Sequence, residues 1–142
     1  MFYGSFAHNL DEKGRLVIPR KMREELGLKA YIMKGYDGAL YIYKEVKFAE
    51  LVEKINSLNT MHKEARDFAR SQLASVCDLD VDKMGRVQIP TQLLNKYNIG
   101  REVVVVGAGD HIEVWNNKVF EAYEKEVDAN FEKIAESLYD KE

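Results

Sequence analysis

A chain of 142 residues with 46% hydrophobic side chains can bury a real core, which excludes a disordered polypeptide and fits one compact domain or two small intertwined ones. A net charge of −3 excludes a protein that coats nucleic acid through bulk positive charge, so any DNA binding must be local. The lone Cys77 cannot form an intrachain disulfide and, beside Val76, is expected as a small buried side chain rather than a redox centre.

The opening Met1-Phe2-Tyr3-Gly4-Ser5 lacks the basic start and apolar stretch of a secretion signal, and no run of about 18 apolar residues follows. A cytoplasmic protein with no membrane partner is expected. A first strand should lead into the turn Asp11-Glu12-Lys13-Gly14, and a second strand should occupy 15–18. Pro19 suits the first position of a short helix, where its missing N–H loses no partner. Met22 and Leu26 then share one helix face, and Gly27 supplies the stop. A hairpin comes next, 30–34 and 39–43, joined by Gly35-Tyr36-Asp37-Gly38. Phe48, Leu51, Val52, Ile55 and Leu58 repeat at helical spacing, and a further helix is expected over about 61–74, carrying Ala65, Phe68, Ala69 and Leu73.

The pattern then starts again. Asp11-Glu12-Lys13-Gly14-Arg15-Leu16-Val17-Ile18-Pro19 recurs 71 positions later as Asp82-Lys83-Met84-Gly85-Arg86-Val87-Gln88-Ile89-Pro90. A second short helix with Leu93, Leu94 and Tyr97 ends near Asn98 and Gly100. A second hairpin, 102–106 and 111–115, turns through Gly107-Ala108-Gly109-Asp110. Phe120, Tyr123, Val127, Phe131, Ile134 and Leu138 draw a narrow apolar stripe along one long acidic helix, and a core face is the expected role of that stripe ahead of an oligomer contact. The chain thus divides into unit 1 at 5–47, connecting helices at 48–75, unit 2 at 76–119 and a C-terminal helix at 120–142. A unit of about 45 residues is marginal alone, so the two should pair about a pseudo-twofold axis and make one chain resemble a fused dimer.

Within each turn, Asp11 or Asp82 can accept a hydrogen bond from the backbone two residues on, while Gly14 or Gly85 permits positive φ. The residues alone leave two roles open. Asp11–Arg15 and Asp82–Arg86 can simply staple tight turns. Alternatively, the local excess of cations between Asp11 and Arg23, five basic residues (Lys13, Arg15, Arg20, Lys21, Arg23) against two acids, forms a rim matched to phosphate or to guanine edges. On that charge count, the first loop is expected to dominate DNA contact, because Thr91, Gln92 and Leu94 replace Arg20, Lys21 and Arg23 in the second copy.

The paired segments DEKGRLVIP and DKMGRVQIP, the opening MFYGSF and the two-copy layout over essentially the whole chain resemble the MraZ family, whose members carry two SpoVT-AbrB-type units with an Asp-x-x-x-Arg signature each. The resemblance implies an α+β, β-rich fold in which the two units form a swapped-hairpin β-barrel with flanking helices. It also implies a ring-shaped homo-oligomer, located on the nucleoid, that binds repeated double-stranded DNA boxes upstream of its own operon in the division and cell-wall gene cluster. Carried onto this sequence, the DNA-binding positions are Lys13, Gly14, Arg15, Arg20, Lys83, Gly85 and Arg86, with Asp11 and Asp82 structuring the loops.

Other classes fit less well. His8, His62 and His111 fall in no metal-ligand spacing and have no cysteine partners, so no catalytic, metal or cofactor site is expected. Gly107-Ala108-Gly109-Asp110 is followed by a strand and has Ile112 where a nucleotide loop needs its third glycine, so it is a hairpin turn. No nucleophile-elbow pattern supports a hydrolase. An adaptor using the acidic tail, or an antitoxin built on the same unit, are the remaining alternatives; the doubled unit disfavours the antitoxin.

Overall fold

The computed structural model describes residues 1–141; Glu142, the last residue of the expected C-terminal helix, lies outside the described residues. Eight strands and six helices follow one another as β1 (Ser5–Asn9), β2 (Arg15–Val17), α1 (Arg20–Leu26), β3 (Lys29–Lys34), β4 (Leu40–Lys44), α2 (Glu45–Asn56), α3 (Lys63–Ala74), β5 (Cys77–Asp80), β6 (Arg86–Gln88), α4 (Thr91–Lys96), β7 (Glu102–Gly107), β8 (Ile112–Asn116), α5 (Asn117–Ala129) and α6 (Phe131–Tyr139). The fold is α+β, and its order repeats as the sequence does.

Pairing between the copies interlocks them. One antiparallel sheet runs β1-β7-β8-β4-β3-β5, and a two-stranded ribbon pairs β2 with β6. Each copy's first strand therefore hydrogen-bonds to the other copy's hairpin: β1 lies on β7 with Ser5 opposite Val106, and β5 lies on β3 with Ile32 opposite Cys77. The hairpins meet at the pseudo-twofold axis, where Leu40 faces Val114 and Ile42 faces Ile112. Sheet and ribbon are the two hydrogen-bonded pieces of the swapped-hairpin barrel, and a single core fills them. Leu16, Ile18, Ile32, Leu40, Ile42, Ile89, Val105, Ile112 and Val114 are all fully buried there. Full burial of a side chain of this size stabilises the fold by about 1.5–3 kcal/mol, so these β-branched and leucine residues fix which face of each strand turns inward.

The short helices close the barrel ends as their apolar spacing requires: Met22 and Leu26 of α1, and Leu93 and Leu94 of α4, are buried. Pro19 and Pro90 stand one residue earlier than expected. Their extended ψ values of 135° and 132° make them the residues before the helix rather than its first turn. Helix α2 is held on the sheet by Tyr31 stacked on Phe48 at 4.1 Å, and α5 by Trp115 against Phe120 and Tyr123 at 5.2 and 4.8 Å. Cys77 is half-buried against the core, with Sγ 3.8 Å from the Ser75 carbonyl.

The C-terminal stripe keeps its expected role only in part. Instead of one helix from 120, helix begins at Asn117 and is divided at Asn130, whose φ of −115° and ψ of 12° leave the helical region. The Asn130 side chain donates to the Glu126 carbonyl at 3.0 Å, competing with the helical backbone as asparagine does. No residue of α5 or α6 is buried. Phe120 and Tyr123 at the start of the stripe pack on the buried Trp115, but Phe131, Ile134 and Leu138 are 63%, 42% and 53% exposed, so the α6 part of the stripe does not face the core of its own chain. Among the described residues, no helix is long and apolar enough to cross a membrane.

Candidate nucleic-acid interface

Each Asp-x-x-x-Arg loop is built around its aspartate. Asp11 accepts from the Arg15 and Lys13 backbone N–H groups at 2.8 and 2.9 Å through Oδ1, and from Arg15 Nε at 2.5 Å through Oδ2. Asp82 repeats this arrangement with Arg86 N, Met84 N and Arg86 Nε, each at 2.9 Å. The Arg15 and Arg86 backbone N–H groups, with the arginine side chains adding to them, hold both carboxyls below the usual aspartate value. Gly14 and Gly85 turn the chain with φ of 75° and 76°, a region L side chains rarely adopt. The stapled-turn role is therefore real, and it also aims the arginines. Nε is spent on the aspartate, while the remaining guanidinium N–H groups stay free to donate.

Ribbon register places the two arginines together. Leu16 and Val87 are opposite each other and buried, so their neighbours Arg15, Val17, Arg86 and Gln88 belong to the outward face. Arg15 is opposite Gln88 and Arg86 is opposite Val17, which makes the arginines diagonal neighbours, about 7–8 Å apart at the backbone. Val17, 37% exposed, leaves that face open.

The interlocked topology reassigns the cations that the sequence grouped around the first loop. Ile18 N donates to the Gly85 carbonyl at 2.9 Å and Ile89 N to the Gly14 carbonyl at 3.0 Å, so each strand delivers its following helix to the other copy's loop. Arg23, whose Nε donates to the Ile18 carbonyl at 2.8 Å, packs on Gly85, where an added Cβ would collide with its guanidinium. At Gly14 the equivalent place is taken by Leu94, with Cδ1 3.3 Å from an added Cβ. Lys21 points away, its Nζ 5.9 Å from the centre of the Tyr3 ring. Arg20 is exposed at the start of α1, and Lys83 is exposed on the second loop. The charge argument for a dominant first loop fails, because Arg23 belongs to the second.

A second polar cluster escaped the sequence. On the outer face of the sheet His111 is only 14% exposed; its Nδ1 lies 2.8 Å from Asp110 Oδ1 and its Nε2 2.9 Å from Glu113 Oε2. Tyr41 and Tyr43 pack on the ring at 4.3 and 5.2 Å, and Trp115 Nε1 donates to Glu113 Oε1 at 2.9 Å. Burial alone would push the His111 pKa down, but the hydrogen bonds to Glu113 and Asp110 outweigh it and raise the value. Burial likewise works against the charged Glu113 and Asp110, yet bonding to His111 holds both low. Burial pushes both tyrosine hydroxyls up to about 12. Only the 71-residue repeat in strand pattern hinted that 111–115 would lie beside Tyr41.

These shifts set a pH dependence. The raised histidine contributes stability fully below its ordinary pKa of 6.5 and loses it as pH rises through the folded value; the lowered carboxylates contribute above their ordinary 3.8 and 4.5 and lose it on acidification. Thermal unfolding followed by circular dichroism should therefore show its highest midpoint between pH 4.5 and 6.5. His111→Gln should flatten the alkaline decline; an unchanged decline would assign it elsewhere.

An intramolecularly duplicated, interlocked β-barrel with paired Asp–Arg loops on one outward ribbon defines the class of this protein. The family model described as "MraZ protein, putative antitoxin-like" matches residues 1–71 and 74–142, one match to each half of the duplication. Three relatives named Transcriptional regulator MraZ are similar along nearly their whole length. The protein of Caldanaerobacter subterraneus subsp. tengcongensis is 40% identical, with 97% of this chain and 96% of the relative covered. That of Lactiplantibacillus plantarum is 39% identical, with 99% of each covered, and that of Mesoplasma florum 37%, with 98% and 96% covered. The chain belongs to the MraZ family.

Proposed function

We propose that this protein is a transcriptional regulator that reads DNA with the outward face of the β2–β6 ribbon. The observation that carries this is the diagonal placement of Arg15 and Arg86 on one exposed face, each aimed by its own aspartate. A two-stranded antiparallel ribbon fits the major groove, and arginine matches guanine O6 and N7 there. Lys13, Arg20 and Lys83 add phosphate attraction around it, while Gly14 and Gly85, buried under Leu94 and Arg23, shape the two reading loops through their positive φ. The relatives' shared name, Transcriptional regulator MraZ, supports the same role.

A chain of net charge −3 binds DNA weakly by itself, in the range of roughly 10⁻⁴–10⁻⁶ M for non-specific contact. Self-assembly compensates. A ring of subunits engaging tandem boxes upstream of its own operon, in the division and cell-wall cluster, raises apparent affinity by roughly 10²–10⁴ through effective concentration. The exposed Phe131, Ile134 and Leu138 supply apolar surface that supports self-association. Such a regulator works in the cytoplasm on the nucleoid. Units 5–47 and 76–119 form the DNA-reading body, and 48–75 and 120–142 form its helical flanks.

Binding to the upstream DNA, measured by fluorescence anisotropy, should collapse when about 5 base pairs are inserted between boxes, since neighbouring subunits must meet one face of the duplex at a spacing of roughly 10 base pairs. Unchanged binding would refute the tandem-box geometry. A monomeric protein indifferent to this DNA at low salt would refute the whole assignment.

A further inference from the structure

We propose that Arg101 is a phosphate-contacting residue of the first loop, donated to it by the second copy; this rests on the DNA-reading role of the ribbon. Arg101 immediately precedes β7, and its carbonyl accepts from Leu10 N at 2.8 Å, which fixes its Cα beside the start of the Asp11 turn. Together with Asp11, Glu12, Lys13 and Arg15 it lines one open surface cavity of about 360 Å³. Both oxygens of Asp11 are already occupied by Lys13 and Arg15. Among the described residues, the exposed Arg101 side chain has no ion-pair or hydrogen-bond partner, so its charge is directed to solvent next to a loop that already presents Arg15.

Pseudo-symmetry makes the placement specific. The equivalent contact at the second loop is Val81 N to the Leu28 carbonyl at 2.9 Å, so the counterpart of Arg101 is Leu28, 79% exposed and uncharged. Arg23 and Leu94 show the opposite asymmetry, with the arginine at Gly85 and the leucine at Gly14. Each loop thus receives one arginine from the other copy, by a different route: Arg101 for the first and Arg23 for the second. Arg23 is fixed by its bond to the Ile18 carbonyl, whereas Arg101 is anchored only through its backbone. A freely orienting guanidinium at the rim suits phosphate, which needs charge more than fixed geometry.

The test is the salt dependence of binding to duplex DNA from upstream of the gene and to a scrambled duplex of equal length. Arg101→Leu should make the negative slope of log affinity against log salt shallower by about 0.9 per engaged subunit, and Arg101→Lys should retain its steepness. Leu28→Arg should steepen it by a similar amount. Both positions, 101 and 28, are exposed, so folding is preserved, and circular dichroism confirms it. Preference for upstream over scrambled DNA should not alter. An unchanged slope in Arg101→Leu, with normal wild-type binding, would overturn this inference and leave the ribbon intact; a lost preference would make Arg101 a base contact and overturn it too. Failure of the wild-type protein to bind either duplex would overturn both.

Discussion

Alanine at Arg15 and alanine at Arg86 should weaken binding to upstream DNA to a similar degree, each by about 1–3 kcal/mol, or roughly 5- to 150-fold, the value of a good bidentate base contact. Equality follows from the ribbon register. The two guanidinium groups share one outward face and one kind of aspartate clamp, with N–O distances of 2.5 and 2.9 Å. Their supporting charge is also balanced: Lys13 and Arg101 flank the first, while Lys83 and Arg23 flank the second. Anisotropy titrations at fixed salt measure the two losses directly. Losses differing by more than about tenfold would show that one loop alone meets the bases. Both changes should also erode the preference for upstream over scrambled DNA, which separates them from a phosphate contact.

Gly107→Ala should destabilise the fold by about 3–5 kcal/mol, as much as emptying a buried aromatic site. Gly107 ends β7, and a Cβ there would overlap the backbone of Phe2 and Tyr3. Backbone cannot yield as a side-chain tip can. The N-terminal segment is held at this place by Gly107 N to the Gly4 carbonyl and by the reciprocal Phe2–Gly109 pair, all at 2.8 Å. Displacing it withdraws Phe2, 2% exposed, from the core cluster. Chemical denaturation should give Phe2→Ala a similar loss. A Gly107→Ala protein within about 1 kcal/mol of wild type would mean that the N-terminal segment is not seated on β7.

The repeat made most of the architecture legible, because a motif recurring at Asp82 after Asp11 demands two equivalent units and about 45 residues make only a marginal core alone. Buried positions at Met22 and Leu26 follow from helical spacing, whereas the runs around Leu16 and Val105 are apolar at every position and do not by themselves select an inward face. Neighbourhood across the swap does not. Arg23 is eight residues from Arg15 in the chain, yet it lies on Gly85, since β2 crosses the ribbon before α1 begins. Arg101 has no local signature for the same reason: its partner strand is in the other copy. The C-terminal stripe keeps its helical period throughout, but period does not say where an apolar face leaves its own chain, as this one does in α6. Gly107 could be placed near a turn, but a close approach of backbone from 105 residues earlier leaves no local signature.

The pairing of Ser5 with Val106 bears on how the molecule comes into being. During translation the first strand emerges about a hundred residues before its mate, a delay of about 5–20 s at bacterial elongation speeds of roughly 5–20 residues per second. Until then the nascent N-terminal half holds an unmatched edge and half a core. Closure of the barrel is consequently a late event, and the ribosome has to complete the second copy before the first can acquire its native form.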